Sequence, residues 1–150
     1  MKTTLVTINL AIATAGCDAE IGPPLEISDV AVFAPLAGTS TSVAYMKMRN
    51  NTDTSIVINS IISPQFNSIM THETRIADGV ARMHMIDPLT IPARSMVALA
   101  DGGMHLMLDQ PAQPIAKGTS ITLQIEYNID GLVIVNTTIQ SRFSDERPNR

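Results

Sequence analysis

The sequence predicts an all-β domain, built as an antiparallel sandwich or barrel. Three observations carry this. Apolar, β-branched runs recur at short, regular spacing between Gly, Pro, Asn and Asp clusters. Residues 43–50 alternate: Ala44, Met46 and Met48 fall on one face, Tyr45, Lys47 and Arg49 on the other. No window carries the apolar period of a long amphipathic helix. About nine short strands of this kind make a sandwich or a barrel.

Residues 1–16 read as an export signal. Lys2 is a short positive start, and the mostly apolar residues 5–15 are too few to span a bilayer as a mature helix. Ala15 and Gly16 precede Cys17, the only cysteine. Thr14-Ala15-Gly16-Cys17 matches a bacterial lipobox except at Thr14, where Leu is usual. Cys17 is therefore the expected point of lipidation and of membrane attachment. Residues 17–25 form a tether stiffened by Gly22-Pro23-Pro24. One domain then spans residues 26–141, with no repeat, low-complexity block or second linker, and residues 142–150 are a polar tail.

Within the domain, strands are expected at residues 27–34, 43–50 and 55–63. Asn50-Asn51-Thr52-Asp53 is a turn and Pro64 ends the third run. Residues 68–76 and 80–86 pair through Ala77-Asp78-Gly79, since Asp-Gly between extended runs signals a hairpin. Residues 89–91 and 95–99 bracket Pro92-Ala93, and Gly102-Gly103 turns the chain into residues 104–109. Pro111 and Pro114 mark a loop. Residues 119–127 and 132–140 close the domain as a hairpin around Asp130-Gly131.

Composition narrows the function. Aromatics are only 3% of the chain, so Val, Ile, Leu and Met must fill the core, with Met46, Met48 and Met96 assigned to it. The net charge of −4 argues against a nucleic-acid partner, which would call for a basic face. A single cysteine leaves no internal disulfide to this chain.

Chemistry concentrates in soft ligands. His72, Met83, His105 and Met107 are separated by ten, twenty-one and one residues. Two imidazoles and two thioethers favour monovalent copper. His105 and Met107 stand two apart in a strand and share a face, while Leu106 and Leu108 turn to the core. His72 and Met83 lie on opposite arms of the Asp78-Gly79 hairpin and can approach across it. Thioethers bind without proton release and form no disulfides, whereas imidazole must be neutral to coordinate. Zinc prefers Cys, His and carboxylate, and calcium and magnesium prefer oxygen. His84 takes the strand face opposite Met83 and is assigned to solvent. Met85 is a neighbour of the set with no assigned role, while Met70 and Met104, near the motif in sequence, serve as shields or as a second, weaker contact.

Catalytic signatures are missing: no Gly-x-Ser-x-Gly elbow, phosphate loop or His-Glu-x-x-His occurs, so no enzyme is expected. A blue-copper carrier would need a cysteine within the domain.

The spacing His-x10-Met-x21-His-x-Met resembles the signature of the PCu(A)C periplasmic copper chaperone family. Chance alone would give it with a probability on the order of 2 in 10,000. His72-Glu73, Asp78-Gly79-Val80, Ile91-Pro92-Ala93 and Gly102-Gly103-Met104-His105-Leu106-Met107-Leu108 are similar to the family consensus in the same order. The resemblance spans about residues 27–139. It implies a cupredoxin-like Greek-key sandwich, Cu(I) held by His72, Met83, His105 and Met107, and work in the periplasm or cell envelope. It also implies delivery to a copper-acceptor protein, namely subunit II of a haem–copper oxidase, alongside other copper chaperones. The rival readings are copper storage or tolerance, and an envelope-anchored β-sandwich interaction module without metal.

Overall fold

The structure, a computed structural model, describes residues 22–36, 38–128 and 130–141. Cys17, the export signal and the tail at 142–150 lie outside the described residues. Ten strands follow in order: β1 (Leu25–Phe33), β2 (Ser42–Asn50), β3 (Ile56–Ile62), β4 (Phe66–Ala77), β5 (Val80–Met85), β6 (Leu89–Ile91), β7 (Met96–Leu99), β8 (Met104–Pro111), β9 (Ser120–Tyr127) and β10 (Gly131–Gln140). Among the described residues there is no helix. The all-β expectation holds, with each expected strand within two residues of an observed one at either end.

The strands run β5-β4-β8-β2-β1-β10-β9-β3-β6, with β7 beside β2. One layer is β5, β4, β8, β2, β7 and β1; the other is β10, β9, β3 and β6. Alternation builds the space between them. Ala44, Met46 and Met48 of β2 are buried, as are Leu106 and Leu108 of β8 and Ile121, Leu123 and Ile125 of β9. These side chains belong to one continuous apolar cluster, which aliphatic and Met side chains dominate.

Two expectations need correction. Pairing is not antiparallel throughout: β1 and β10 run parallel, with Val32 beside Ile139 and Phe33 beside Gln140. These strands lie at opposite ends of the domain's sequence, so no short turn constrains their direction. Met96 is not core. Its cross-strand partner is Arg49, on the outward face of β2, and it is 44% exposed while Leu99 takes the inward position. Alternation along β7, counted from Leu99, places Met96 outside.

The edge of β2 positions the later site. β8 pairs with Ser42–Ala44 and β7 with Met46–Arg49, so both strands border the same edge of β2 in succession. Between them the chain makes a tight corner. Gly102 holds it at φ 74°, Gly103 N–H donates to the Ala100 carbonyl (3.1 Å), and Ala100 N–H donates to that of Met104 (2.7 Å). The hairpin glycine at 131 has a different role. A Cβ there would fall 1.9 Å from the Tyr127 ring, so close approach to the ring requires glycine.

Asn50 ties the other end together. Its side-chain amide donates to the carbonyls of Thr54 (2.8 Å), Ile91 (3.0 Å) and Pro92 (3.0 Å), and its Oδ1 accepts from Thr52 N–H (2.9 Å) and Oγ1 (2.7 Å). Asn50 is buried, so its removal strands carbonyls that water cannot readily reach. Asn50→Ala is expected to lower unfolding free energy by about 3 kcal/mol in urea denaturation, with an unchanged m value. A loss within experimental error would show that these bonds do not hold the turn.

Candidate metal centre

The site grows from two hairpin-like contacts along β4. Ala77 pairs with Val80, so Asp78 (φ 53°) and Gly79 (φ 75°) form a two-residue turn of the left-handed kind such hairpins favour. On its other edge β4 pairs with β8, and there His72 lies directly opposite His105 and Met70 opposite Met107. Directly paired residues in an antiparallel ladder project from the same face. His72, His105 and Met107 therefore share one face, turned away from Leu106, Leu108 and the core. Met83, opposite Thr74, joins that face from β5.

The two imidazole rings stand 6.2 Å apart between centres, inclined by 35°. A metal held about 2 Å from a nitrogen of each ring lies about 3 Å from each ring centre, so one ion can bridge this gap. His105 is fixed in place. Its Nδ1–H donates to the Gly103 carbonyl (3.0 Å), and the same oxygen accepts Thr74 N–H (3.1 Å). One carbonyl thus anchors both the ring and the neighbouring strand. A carbonyl only accepts, so the proton sits on Nδ1 and the lone pair on Nε2, the orienting contact usual for a metal-binding histidine. His72 Nδ1 is buried and has no hydrogen-bond partner. A buried, unpaired imidazole nitrogen is costly in isolation and is satisfied by a coordinated cation.

A cavity of about 410 Å³ opens on this face, bordered by Thr74, Met83, His105 and Met107 and rimmed by Tyr45 and Asp101. Tyr45 O–H donates to Asp101 Oδ1 (3.0 Å), bracing the rim. His105 is 8% exposed and Met83 is 61% exposed, so the site has a buried side and an open one. Among the described residues no group of three or more His, Cys, Asp or Glu side chains gathers as a metal site. The soft-donor set is thus not part of a zinc- or calcium-type cluster.

Of the four residues picked from the sequence, Met83, His105 and Met107 border one cavity, while His72 adjoins His105 without lining it. His84 is exposed on the opposite face, as expected. Met104 is not a shield: it pairs with Glu73 on the other face and packs against the core. Sequence reasoning missed Thr74, Tyr45 and Asp101 at the rim, and the placing of Met85 directly opposite His72. That last pairing was within reach, because a two-residue turn at Asp78-Gly79 fixes every partner across the hairpin.

Fold and site together describe a small cupredoxin-like sandwich that presents imidazoles and thioethers on one face. The family model "Putative lipoprotein LpqE-like" matches residues 25–139, and the chain belongs to that family. No curated protein matches it. Among solved structures, CuI-DR1885 from Deinococcus radiodurans is similar, at 26% identity over 87% of each chain with a TM-score of 0.68. Its apo form aligns at 25% identity over 95% of this chain and 98% of that one, with a TM-score of 0.58. The copper-bound PCuAC domain from PmoF2 aligns at 21% identity over 79% of this chain and 94% of that one, with a TM-score of 0.66. The resemblance to PCu(A)C domains drawn from the motif stands, as does the cupredoxin-like fold.

The Gly103 contact makes a direct prediction. In the metal-free protein, long-range proton–nitrogen NMR spectra should show neutral His105 as the Nδ1–H tautomer. An Nε2–H signal pattern would remove the orienting role given to Gly103.

Proposed function

We propose that this protein binds one Cu(I) outside the cytoplasm through His72, Met83, His105 and Met107, and hands it to a copper-accepting protein. The observation that carries this is the direct cross-strand pairing of His72 with His105, with Met107 and Met83 on the same face. The donor set is neutral and soft, which suits a monovalent ion of high polarisability. DR1885 in its CuI form and the copper-bound PmoF2 domain support the same reading. The exposed thioether of Met83 favours hand-off over burial of the metal: a partner can add a ligand before that thioether leaves. The recipient proposed is the copper centre in subunit II of a haem–copper oxidase. The role is that of a carrier, not an enzyme.

Placement at the cell envelope follows from the lipobox-like Thr14-Ala15-Gly16-Cys17 and is supported by membership of a lipoprotein-type family. Cys17 is then the acylated first residue of the mature chain, tethering the domain through residues 17–25.

Cu(I) titration against a competing chelator should give one ion per chain. His105→Ala and Met107→Ala should each weaken binding at least tenfold, about 1.4 kcal/mol, with the β-sheet circular dichroism retained. Transfer to an apo subunit II domain should outpace spontaneous release and rise with acceptor concentration. Unchanged affinity in both variants removes the site; an acceptor-independent rate leaves storage in place of delivery. Mass spectrometry of the mature protein from its host should find diacylglycerol on Cys17. A free thiol there, or cleavage beyond it, refutes the anchor.

A further inference from the structure

The four proposed ligands do not exhaust the soft donors on their face. We propose that Met85 is a fifth ligand, which exchanges with Met83 for the copper ion while His72 remains bound; this rests on the copper reading above. Register is the first argument. Across the β4–β5 hairpin, His72 is directly opposite Met85, whereas Met83 is opposite Thr74. Directly opposed residues have Cβ atoms about 4.5–5.5 Å apart and diagonal ones about 7–8 Å. Met85 is therefore the β5 methionine whose Cβ lies nearer to His72, although the motif spacing selects Met83.

The second argument is the arrangement of cavities. Met83 borders the cavity that His105 and Met107 border. Met85 borders a second one of about 380 Å³, together with Met70, which itself lies opposite Met107. His72 sits on β4 between Met70 and Thr74, with a buried Nδ1 that has no partner. His72 lines neither cavity, but Met85 stands directly opposite it on β5 and Met83 one diagonal away, so each places a thioether beside the strand position of that unpartnered nitrogen.

Exposure is the third. Met83 and Met85 are 61% and 60% exposed, so neither fills the core. They stand two residues apart on one face, about 6.6 Å along the strand, and the flexible Met side chain can close much of that distance. In the exchange a Cu–S bond to Met83 breaks as one to Met85 forms. Both sulfurs are neutral, so no proton or net charge moves.

The test uses the mature protein with carbon-13 in the methionine methyl groups. On adding Cu(I) to wild type, the Met83, Met107 and, to a smaller extent, Met85 methyl signals should shift. In Met83→Ala the Met85 signal should shift by as much as Met83 did, and affinity should fall less than tenfold. Met83→Ala with Met85→Ala should lose at least a further tenfold. Both positions are exposed, so the variants keep the core. A Met85 signal unmoved in both proteins, or a double variant that binds like Met83→Ala, overturns the assignment of Met85 alone. If no methionine signal moves in wild type, the copper reading itself falls, and this assignment with it.

Discussion

The site depends on the register between β4 and β8. His72 meets His105 only because Leu106 and Leu108 are held in the core. Slipping β8 by one residue would turn both leucines outward and drive His105 and Met107 inward. Exposing two fully buried leucines costs roughly 1.5–3 kcal/mol each, before any penalty for a buried imidazole. Core packing and ligand placement are therefore one constraint. The alternation that buries Leu106 and Leu108 presents the two donors between and beyond them.

The corner at residues 100–103 sets where that register begins. β7 and β8 share an edge of β2, and the chain must shift sideways between them within a few residues. Gly102 supplies the left-handed backbone this needs. Gly103 then spends its carbonyl on two donors, Thr74 N–H and His105 Nδ1–H. The corner is thus coupled to both strands that carry imidazoles. Tyr45, through Asp101, fastens the same corner to β2. The orientation of His105 is built from backbone and loop contacts that exist before any metal arrives, so little ordering remains to oppose binding.

Much of this was legible in the sequence because it is local. The alternation of residues 43–50 revealed the buried face of β2, and Asp78-Gly79 announced the hairpin that unites β4 and β5. The His105-x-Met107 pair showed its shared face by strand period alone. What was not legible depends on contacts between distant segments. The parallel pairing of β1 with β10 joins the two ends of the domain and leaves no turn signal. Met96 looked like core because Met usually is; only its pairing with Arg49 reveals the outward face. The spacing of the motif also hides a distinction. It names Met83, while the ladder places Met85 opposite His72, because spacing counts residues and register counts partners.

The two halves of the proposed site differ in how firmly the fold holds them. His105 and Met107 lie on β8, flanked by β4 and β2 and backed by the core. Met83 lies on β5, the last strand of its layer, bonded to β4 alone, with all six residues exposed. Opening β5 would break one ladder and remove none of its own six side chains from the core, so it costs far less than unfolding the domain. Such an exposed edge would invite pairing with other chains, and Arg82 and His84 put polar groups along it. Arg82 faces Arg75 across the ladder, a repulsion relieved by Glu73, which binds Arg75 at 2.6 Å. The edge is thus guarded against aggregation without being rigidified. A thioether on it can leave while both imidazoles stay in place. A carrier needs that asymmetry: the fixed half keeps hold of the ion while the loose half opens a coordination position to the next protein.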